Sequence, residues 1–195
     1  HNLVNAFRTD PEGLPLLDTY NDQDIAAKGD FESYTFDPRL DHMVAITGHP
    51  YKYQTNLLFQ ASYCRDPATY DNYMSMNETV AYTDPTFHKY PPFMSSSKNW
   101  EVIRYADVLL MKAEALIELG REQEALPLIN MIRTRAKAST ALLKQADGSP
   151  TSNYGIQTYQ PGVNCTWTKE YAREALRFER RLEFAGQGYR WSDLR

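Results

Sequence analysis

The apolar positions between residues 100 and 138 form two helical stripes separated by a short turn. Spacings of three and four predict two helices, because they place side chains on one face of a 3.6-residue turn. The stripes consist of Val102, Ala106, Leu109, Ala113, Leu116 and Ile117, and then of Ala125, Leu128, Ile129, Ile132 and Ala136. Gly120 follows the first stripe, where a left-handed residue commonly closes a helix. The short connection predicts antiparallel neighbours.

Two further features of this helical pair bear on its packing. Pro127 lies inside the second helix and lacks a backbone donor, so we expect a local bend or a late helix start there. An isolated pair of helices cannot bury both of its faces, so we expect another element to stack on it. The pair resembles one tetratricopeptide-type (TPR-like) unit, of which a single copy is visible.

A third helix is predicted to begin at Thr168, an N-cap residue type, with Glu170 in the first turn. Its apolar stripe consists of Tyr171, Ala175, Phe178, Leu182 and Ala185. The charged face offers three pairs at i,i+3 spacing that we expect to support the helix: Glu170–Arg173, Glu174–Arg177 and Arg180–Glu183. Gly186 and Gly188 should end it, after which we expect Tyr189, Trp191 and Leu194 to fold back on the core.

The whole pattern divides the chain into four segments. They are a loop-rich segment at 1–99, the helical hairpin at 100–138, a long polar loop at 139–167, and a helix with its tail at 168–195. A loop as long as 139–167 is uncommon in a compact domain, so it is either functional or a mobile surface segment. The predicted fold class is mainly α, with a TPR-like helical hairpin, a C-terminal helix and long irregular loops.

The composition of the chain excludes some classes of function and favours others. The formal net charge of −4 over 195 residues, without a basic run, argues against a nucleic-acid partner. Fourteen residues are Tyr, and ten of them precede residue 106. Tyr on loops suits a binding face because its ring is amphipathic and loses little entropy on binding. The alternative, that these rings pack irregular segments, remains open. The chain contains no transmembrane run.

No metal or cofactor motif is present. The aspartates within residues 18–24 do not have the spacing of an EF-hand loop, so we interpret them as a solvated acidic loop. Two cysteines, Cys64 and Cys165, are too few for a structural zinc site. They form either a disulfide, in an oxidising compartment, or two free thiols. We therefore predict no metal and no cofactor.

An enzyme is the rival class of function. Glu179 and Glu183 lie one helical turn apart and could imitate the carboxylate pair of a glycosidase. Each sits among Arg residues, which favour the ionised carboxylate and argue against a general acid. We interpret them as helix-anchoring ion pairs. No H-E-x-x-H or G-x-S-x-G motif occurs, so we predict a protein that is not an enzyme.

Four motifs together resemble the SusD/RagB family. They are NLVNAFRTDPEGLPLLDTYND at 2–22, DPRLD at 37–41, the hairpin YADVLLMKAEALIELG with EALPLINMIRTRA at 105–136, and ERRLEFAGQGYRWSDLR at 179–195. They occur in the family's usual order. Members of the family are longer, so the resemblance implies that this chain is the C-terminal portion of a SusD-like protein with a SusD-like α-helical fold. We interpret the polar motif residues as structural: Arg104, Arg133, Arg135, Glu179 and Arg190.

The resemblance also implies a function. Family members are lipoproteins exposed on the outer membrane, held by an N-terminal lipid anchor that is not within these residues. They bind an oligosaccharide or polysaccharide without catalysis and deliver it to a SusC-like TonB-dependent transporter. A non-glycan nutrient such as a peptide is the alternative ligand, and a TPR-type scaffold is the alternative class.

No motif transfers a ligand contact, so the candidate site rests on residue type and loop position. Aromatic faces stack on sugar C–H patches, and amide or guanidinium groups meet the hydroxyls. The aromatic candidates are Tyr51, Tyr53, Tyr73 and Trp167, and the polar candidates are Asn72 and Arg65. For each aromatic residue, packing in the core is the competing interpretation.

Overall fold

The computed structural model describes residues 2–25, 30–70, 72–90 and 93–188. Three long helices dominate this part of the chain: α5 (Tyr105–Glu118), α6 (Glu122–Ala138) and α7 (Lys169–Glu183). Four short helices precede them: α1 (Asn2–Asn5), α2 (Asp30–Ser33), α3 (Arg39–Met43) and α4 (Pro67–Tyr70). Long irregular segments connect these elements. The prediction of a mainly α fold with a helical hairpin, a C-terminal helix and long loops is confirmed.

The strands are short and pair in twos. They are β1 (Arg8–Thr9), β2 (Thr35–Phe36), β3 (Val44–Ile46), β4 (Pro50–Tyr51), β5 (Gln54–Leu58), β6 (Tyr73–Ser75), β7 (Phe87–Tyr90) and β8 (Phe93–Ser96). The antiparallel pairs are β1–β2, β3–β6, β4–β5 and β7–β8. Strands of two to five residues give too few alternations to be recognised in a sequence, so we did not predict them.

The helical hairpin closes as its sequence indicates. Gly120 has φ 73°, Gly120 N–H donates to the Ile117 carbonyl, and Arg121 N–H donates to the Leu116 carbonyl. These two bonds make a Schellman motif, which satisfies carbonyls at the end of α5. Helix α6 begins at Glu122 and continues through Pro127, so the expectation of a late start is wrong.

Helix α7 provides the stacking partner that the hairpin needs. Its Thr168 cap is confirmed, since Thr168 Oγ1 accepts a hydrogen bond from Tyr171 N–H at 3.2 Å. One face of α7 packs on α5 and α6 through Ala172, Ala175 and Leu176. Its C-terminal half also contributes Phe178 and Leu182 to a second core.

This second core lies between α7 and the N-terminal third of the chain. It includes Phe7, Phe36, Leu40, Val44 and Ile46, all buried. Because α7 packs against both cores, it joins the N-terminal segments to the hairpin. A third, small core consists of Ala45, Phe59 and Met76, on the other side of the β3–β6 ribbon.

The 139–167 loop is fixed to the helices by specific bonds. The Asn130 side chain donates to the Tyr159 carbonyl at 2.9 Å and accepts from Tyr159 N–H at 2.8 Å. Phe36 N–H donates to the Asn153 carbonyl at 2.8 Å. Tyr159 and Ile156 are buried. Among the two interpretations of this loop, the structure therefore disfavours a mobile surface segment.

No helix within the described ranges is both long enough and apolar enough to cross a membrane. The predicted fold-back of Tyr189, Trp191 and Leu194 lies outside the described residues.

Candidate functional site

A buried ionic network occupies the centre of the molecule. Arg39 donates to Asp37 Oδ2 at 2.6 Å and to Glu179 Oε1 at 2.6 Å, and Arg133 donates to Glu179 Oε2 at 2.9 Å. All four side chains are at most 2% exposed. Burial alone would raise the pKa of Asp37, but the neighbouring Arg39 and Arg133 hold it below its ordinary value. The network connects α3, α6 and α7.

Glu183 extends this network toward the surface. Its carboxylate accepts from Arg39 at 3.3 Å, from Arg135 at 2.6 Å and from Arg104. The ion pairs of Arg104, Arg133, Arg135 and Glu179 support the prediction that these residues are structural, whereas Arg190 lies outside the described residues. Glu179 and Glu183 have no exposed side-chain surface, so a substrate cannot reach either of the two carboxylates that imitate a glycosidase pair.

The local ion pairs that we expected along α7 are wrong in two cases. Arg173 bonds Glu118 on α5 at 2.7 and 2.8 Å, and Arg180 bonds the buried Asp107 at 2.9 Å. A charged side chain can pair either with the residue three positions along its own helix or with a side chain on a neighbouring helix. A bidentate pair with a neighbouring helix has the better geometry of the two. The charged face of α7 therefore joins helices.

Trp167 must be removed from the candidate ligand-binding residues. Its side chain lies in the helical core, 6% exposed, with its ring centroid 5.2 Å from that of Tyr159. Trp167 Nε1–H donates to the Glu122 carbonyl at 2.9 Å, so its polar atom is also satisfied. A ring buried in this way has no free face for a sugar.

Tyr53 keeps an exposed ring at the tip of the β4–β5 hairpin. Tyr51 pairs with Gln54, which leaves Lys52 and Tyr53 as a two-residue turn with φ of 50° and 64°. Two left-handed residues define a type I′ turn, which Asn-Gly normally occupies. Tyr53 is 49% exposed.

His42 on α3 holds this exposed ring in place. The Tyr53 hydroxyl lies 2.8 Å from His42 Nδ1, and His42 Nε2 lies 2.8 Å from Ser139 Oγ. Ser139 Oγ–H donates to the Ala136 carbonyl, so Nε2–H donates to Ser139. Burial lowers the pKa of His42, which favours the neutral imidazole. In that tautomer Nδ1 accepts from the Tyr53 hydroxyl.

The remaining candidates are divided between two faces of the β3–β6 ribbon. Tyr51 stacks on Phe59 at 6.2 Å, within the third core. Tyr73 packs on the opposite face, against the second core, and its hydroxyl donates to the Ile25 carbonyl at 2.9 Å. The structure therefore brings Tyr51 and Tyr53 together on one hairpin but does not bring Tyr73 to them.

Asn72 and Arg65 both lie at the surface of the same lobe, residues 44–97. The lobe also exposes Tyr63, which our sequence analysis did not select. Its ring contacts Phe59 at 5.6 Å, edge to face. Residue type and loop position would have identified Tyr63. Nothing in the sequence would have identified His42, because its role depends on tertiary contacts with Tyr53 and Ser139.

Cys64 and Cys165 form no disulfide in the structure, so the disulfide alternative is wrong. The described residues contain no cluster of three or more His, Cys, Asp or Glu side chains placed to hold a metal ion.

The chain belongs to the SusD family, whose sequence model matches residues 1–195. It is similar to the SusD-like protein P38 of Formosa agariphila, with 41% identity over 93 residues. That match covers 48% of this chain and 16% of the relative's length.

Proposed function

We propose that this chain is the C-terminal portion of a longer, non-catalytic SusD-like protein that captures an oligosaccharide or polysaccharide at the cell surface. The observation that carries the proposal is the exposed Tyr53 ring, held by His42, in a chain of the SusD family. The protein passes its ligand to a SusC-like TonB-dependent transporter. It is a lipoprotein of the outer membrane, anchored through an N-terminal lipid.

The lobe at 44–97 has the chemistry for sugar recognition. The Tyr53 ring is amphipathic, and its hydroxyl is already used by His42, so it offers a face without an unpaired polar atom. Rigid aromatic side chains cost little conformational entropy on binding. Asn72 and Arg65 supply amide and guanidinium groups for hydroxyls on the same lobe.

The absence of catalysis is supported by the state of the motif carboxylates. Glu179 and Glu183 are buried and their oxygens are bonded to arginines, so a substrate has no access to either carboxylate. A glycosidase requires one carboxylic acid that can donate its proton to the leaving group.

A TPR-type scaffold remains the second candidate because of one surface on the helical hairpin. A cleft of about 550 Å³ lies between α5 and α6, and its apolar wall includes Ile103, Tyr105, Leu109 and Met131. Ile103 and Tyr105 are exposed. Such a surface suits the stacking of further helices.

Isothermal titration of the full-length protein against panels of polysaccharides and peptides, with reducing-end release followed in parallel, tests the proposal. We expect saturable heat with one class of glycan and no new reducing ends. Released ends would overturn the non-catalytic assignment. Heat with peptides alone would replace the glycan by a peptide nutrient.

A further inference from the structure

A polar cleft of about 360 Å³ opens at the base of the β4–β5 hairpin. Gly48 N–H donates to the Phe59 carbonyl and Phe59 N–H donates to the His49 carbonyl, so this end of the hairpin is firmly closed. The cleft walls come from three separate parts of the chain: Phe31, Glu32, His49, Gln145, Ser152 and Asn153. Its volume is within the usual range of small-ligand sites, roughly 300–1,000 Å³.

Asp41 fixes the orientation of His49 in this wall. His49 Nδ1 lies 2.6 Å from Asp41 Oδ1, and Asp41 Oδ2 accepts from Ser152 Oγ and the Tyr154 hydroxyl, both at 2.7 Å. An ionised carboxylate only accepts, so Nδ1 donates to Asp41, and in the tautomer that carries its single proton on Nδ1 the acceptor is Nε2. Asp41 itself does not line the cleft.

His49 Nε2 has no hydrogen-bond partner among the described residues, although His49 is only 8% exposed. The ring cannot rotate freely, because it is held at Nδ1 and packed edge to face on Phe31 at 5.6 Å. Nε2 is open to the cleft, where water or a ligand hydroxyl can donate to it. The cleft therefore presents a fixed acceptor that a hydroxyl donor would satisfy.

The other wall groups define the class of ligand. Gln145 has no side-chain bond to any described residue, and Asn153 uses only its Nδ2–H, toward the Glu32 carbonyl at 3.0 Å. Both amides can therefore contact hydroxyl groups. The described wall contains the carboxylate residue Glu32 and neither Lys nor Arg, which disfavours an anionic ligand.

We infer that this cleft is a subsite for one uncharged sugar unit, with His49 Nε2 accepting a hydrogen bond from a sugar hydroxyl. The inference rests on the proposed function, since it assigns a second contact point to the same glycan. Two consecutive residues of α3, Asp41 and His42, then each hold one end of the β4–β5 hairpin. Asp41 orients His49 at the base, and His42 orients Tyr53 at the tip.

The test combines titration with NMR of the full-length protein carrying ¹⁵N-labelled histidine. The probes are neutral oligosaccharides and the methyl glycosides of glucose, galactose, mannose and xylose. The first variant is Gln145→Ala, because the Gln145 side chain supports no described contact. The matched control is Gln123→Ala, an exposed position in the first turn of α6.

We expect at least one neutral probe to bind saturably and to shift the His49 Nε2 resonance. Gln145→Ala should weaken that binding at least fivefold, whereas Gln123→Ala should leave it unchanged. A neutral glycan could instead bind without shifting the His49 Nε2 resonance, and Gln145→Ala could bind it with wild-type affinity. That result would refute the subsite while the proposed function stands. If no glycan of the polysaccharide panel binds, the proposed function fails and the subsite fails with it.

Discussion

The Tyr53 hydroxyl donates to His42 Nδ1 across 2.8 Å, and this bond connects the tip of the β4–β5 hairpin to helix α3. Non-glycine residues in the left-handed region cost about 1–3 kcal/mol each. Tyr53 and Lys52 are both in that region, and Lys52 Nζ donates to the Met76 carbonyl. Tertiary bonds thus hold an unfavourable turn in the conformation that exposes the Tyr53 ring.

The His42 bond predicts a pH dependence of stability. Burial lowers the pKa of His42 below 6.5, so the unfolded chain binds the proton more readily than the fold does. The stability from neutral His42 should be complete above about pH 6.5 and should fall as the pH drops through the folded pKa. Thermal unfolding measured at several pH values between 7.5 and 5.0 tests this pH dependence.

His42→Gln is the informative variant for this pH effect, because an amide does not titrate. The loss of stability between pH 7 and 5 should become smaller in His42→Gln. His88→Gln, at a half-buried position whose ring bonds Ser97, is the control and should retain the wild-type slope. An unchanged slope in His42→Gln would contradict the assignment of a neutral, buried imidazole.

Breaking the ionic network should destabilise the protein strongly. Glu183→Gln removes the buried carboxylate that Arg39, Arg104 and Arg135 share, and the expected loss is about 3–5 kcal/mol in the free energy of unfolding, measured with urea. Glu118→Gln removes a surface pair with Arg173 that solvent screens, so it should lower the stability far less than Glu183→Gln does. At temperatures where the Glu183 variant is folded, its glycan affinity should be unchanged. Normal stability together with lost binding would show that Glu183 contacts the ligand.

Trp167→Ala tests the correction that moves this residue into the core. Deleting a buried indole leaves a cavity, and the expected loss is about 3–5 kcal/mol in the free energy of unfolding. The matched control is Trp100→Ala, whose ring is 70% exposed and whose expected effect is about 0.5 kcal/mol or less. Equal and small losses of stability in the two variants would show that Trp167 is exposed and would contradict its placement in the core.

Local rules predicted the helices and their ends. The Thr168 cap and the Gly120 turn depend on residues within one helical turn, so a sequence contains the information they need. The partners of the charged residues could not be found in this way. Glu179 bonds Arg39 from 140 positions away, and Arg173 bonds another helix rather than its own.

The candidate site was predicted less completely, for a related reason. Tyr and Trp on irregular segments have the same local signature whether they face solvent or fill a core. Trp167 is buried because the 139–167 loop folds Tyr159 against it, whereas Tyr53 is exposed because a two-residue turn projects it. Each of these outcomes depends on tertiary contacts that spacing does not encode.

The most direct test of the account is isothermal titration of wild-type and Tyr53→Ala full-length protein with the glycan that binds the wild type. Loss of the stacking ring should weaken affinity by about 1–2 kcal/mol, roughly 5–30-fold, without changing the folded state in circular dichroism. Tyr105→Ala, an exposed ring on the helical hairpin, is the control and should bind as the wild type does. Wild-type affinity in Tyr53→Ala would contradict the assignment of this hairpin as the ligand-binding surface.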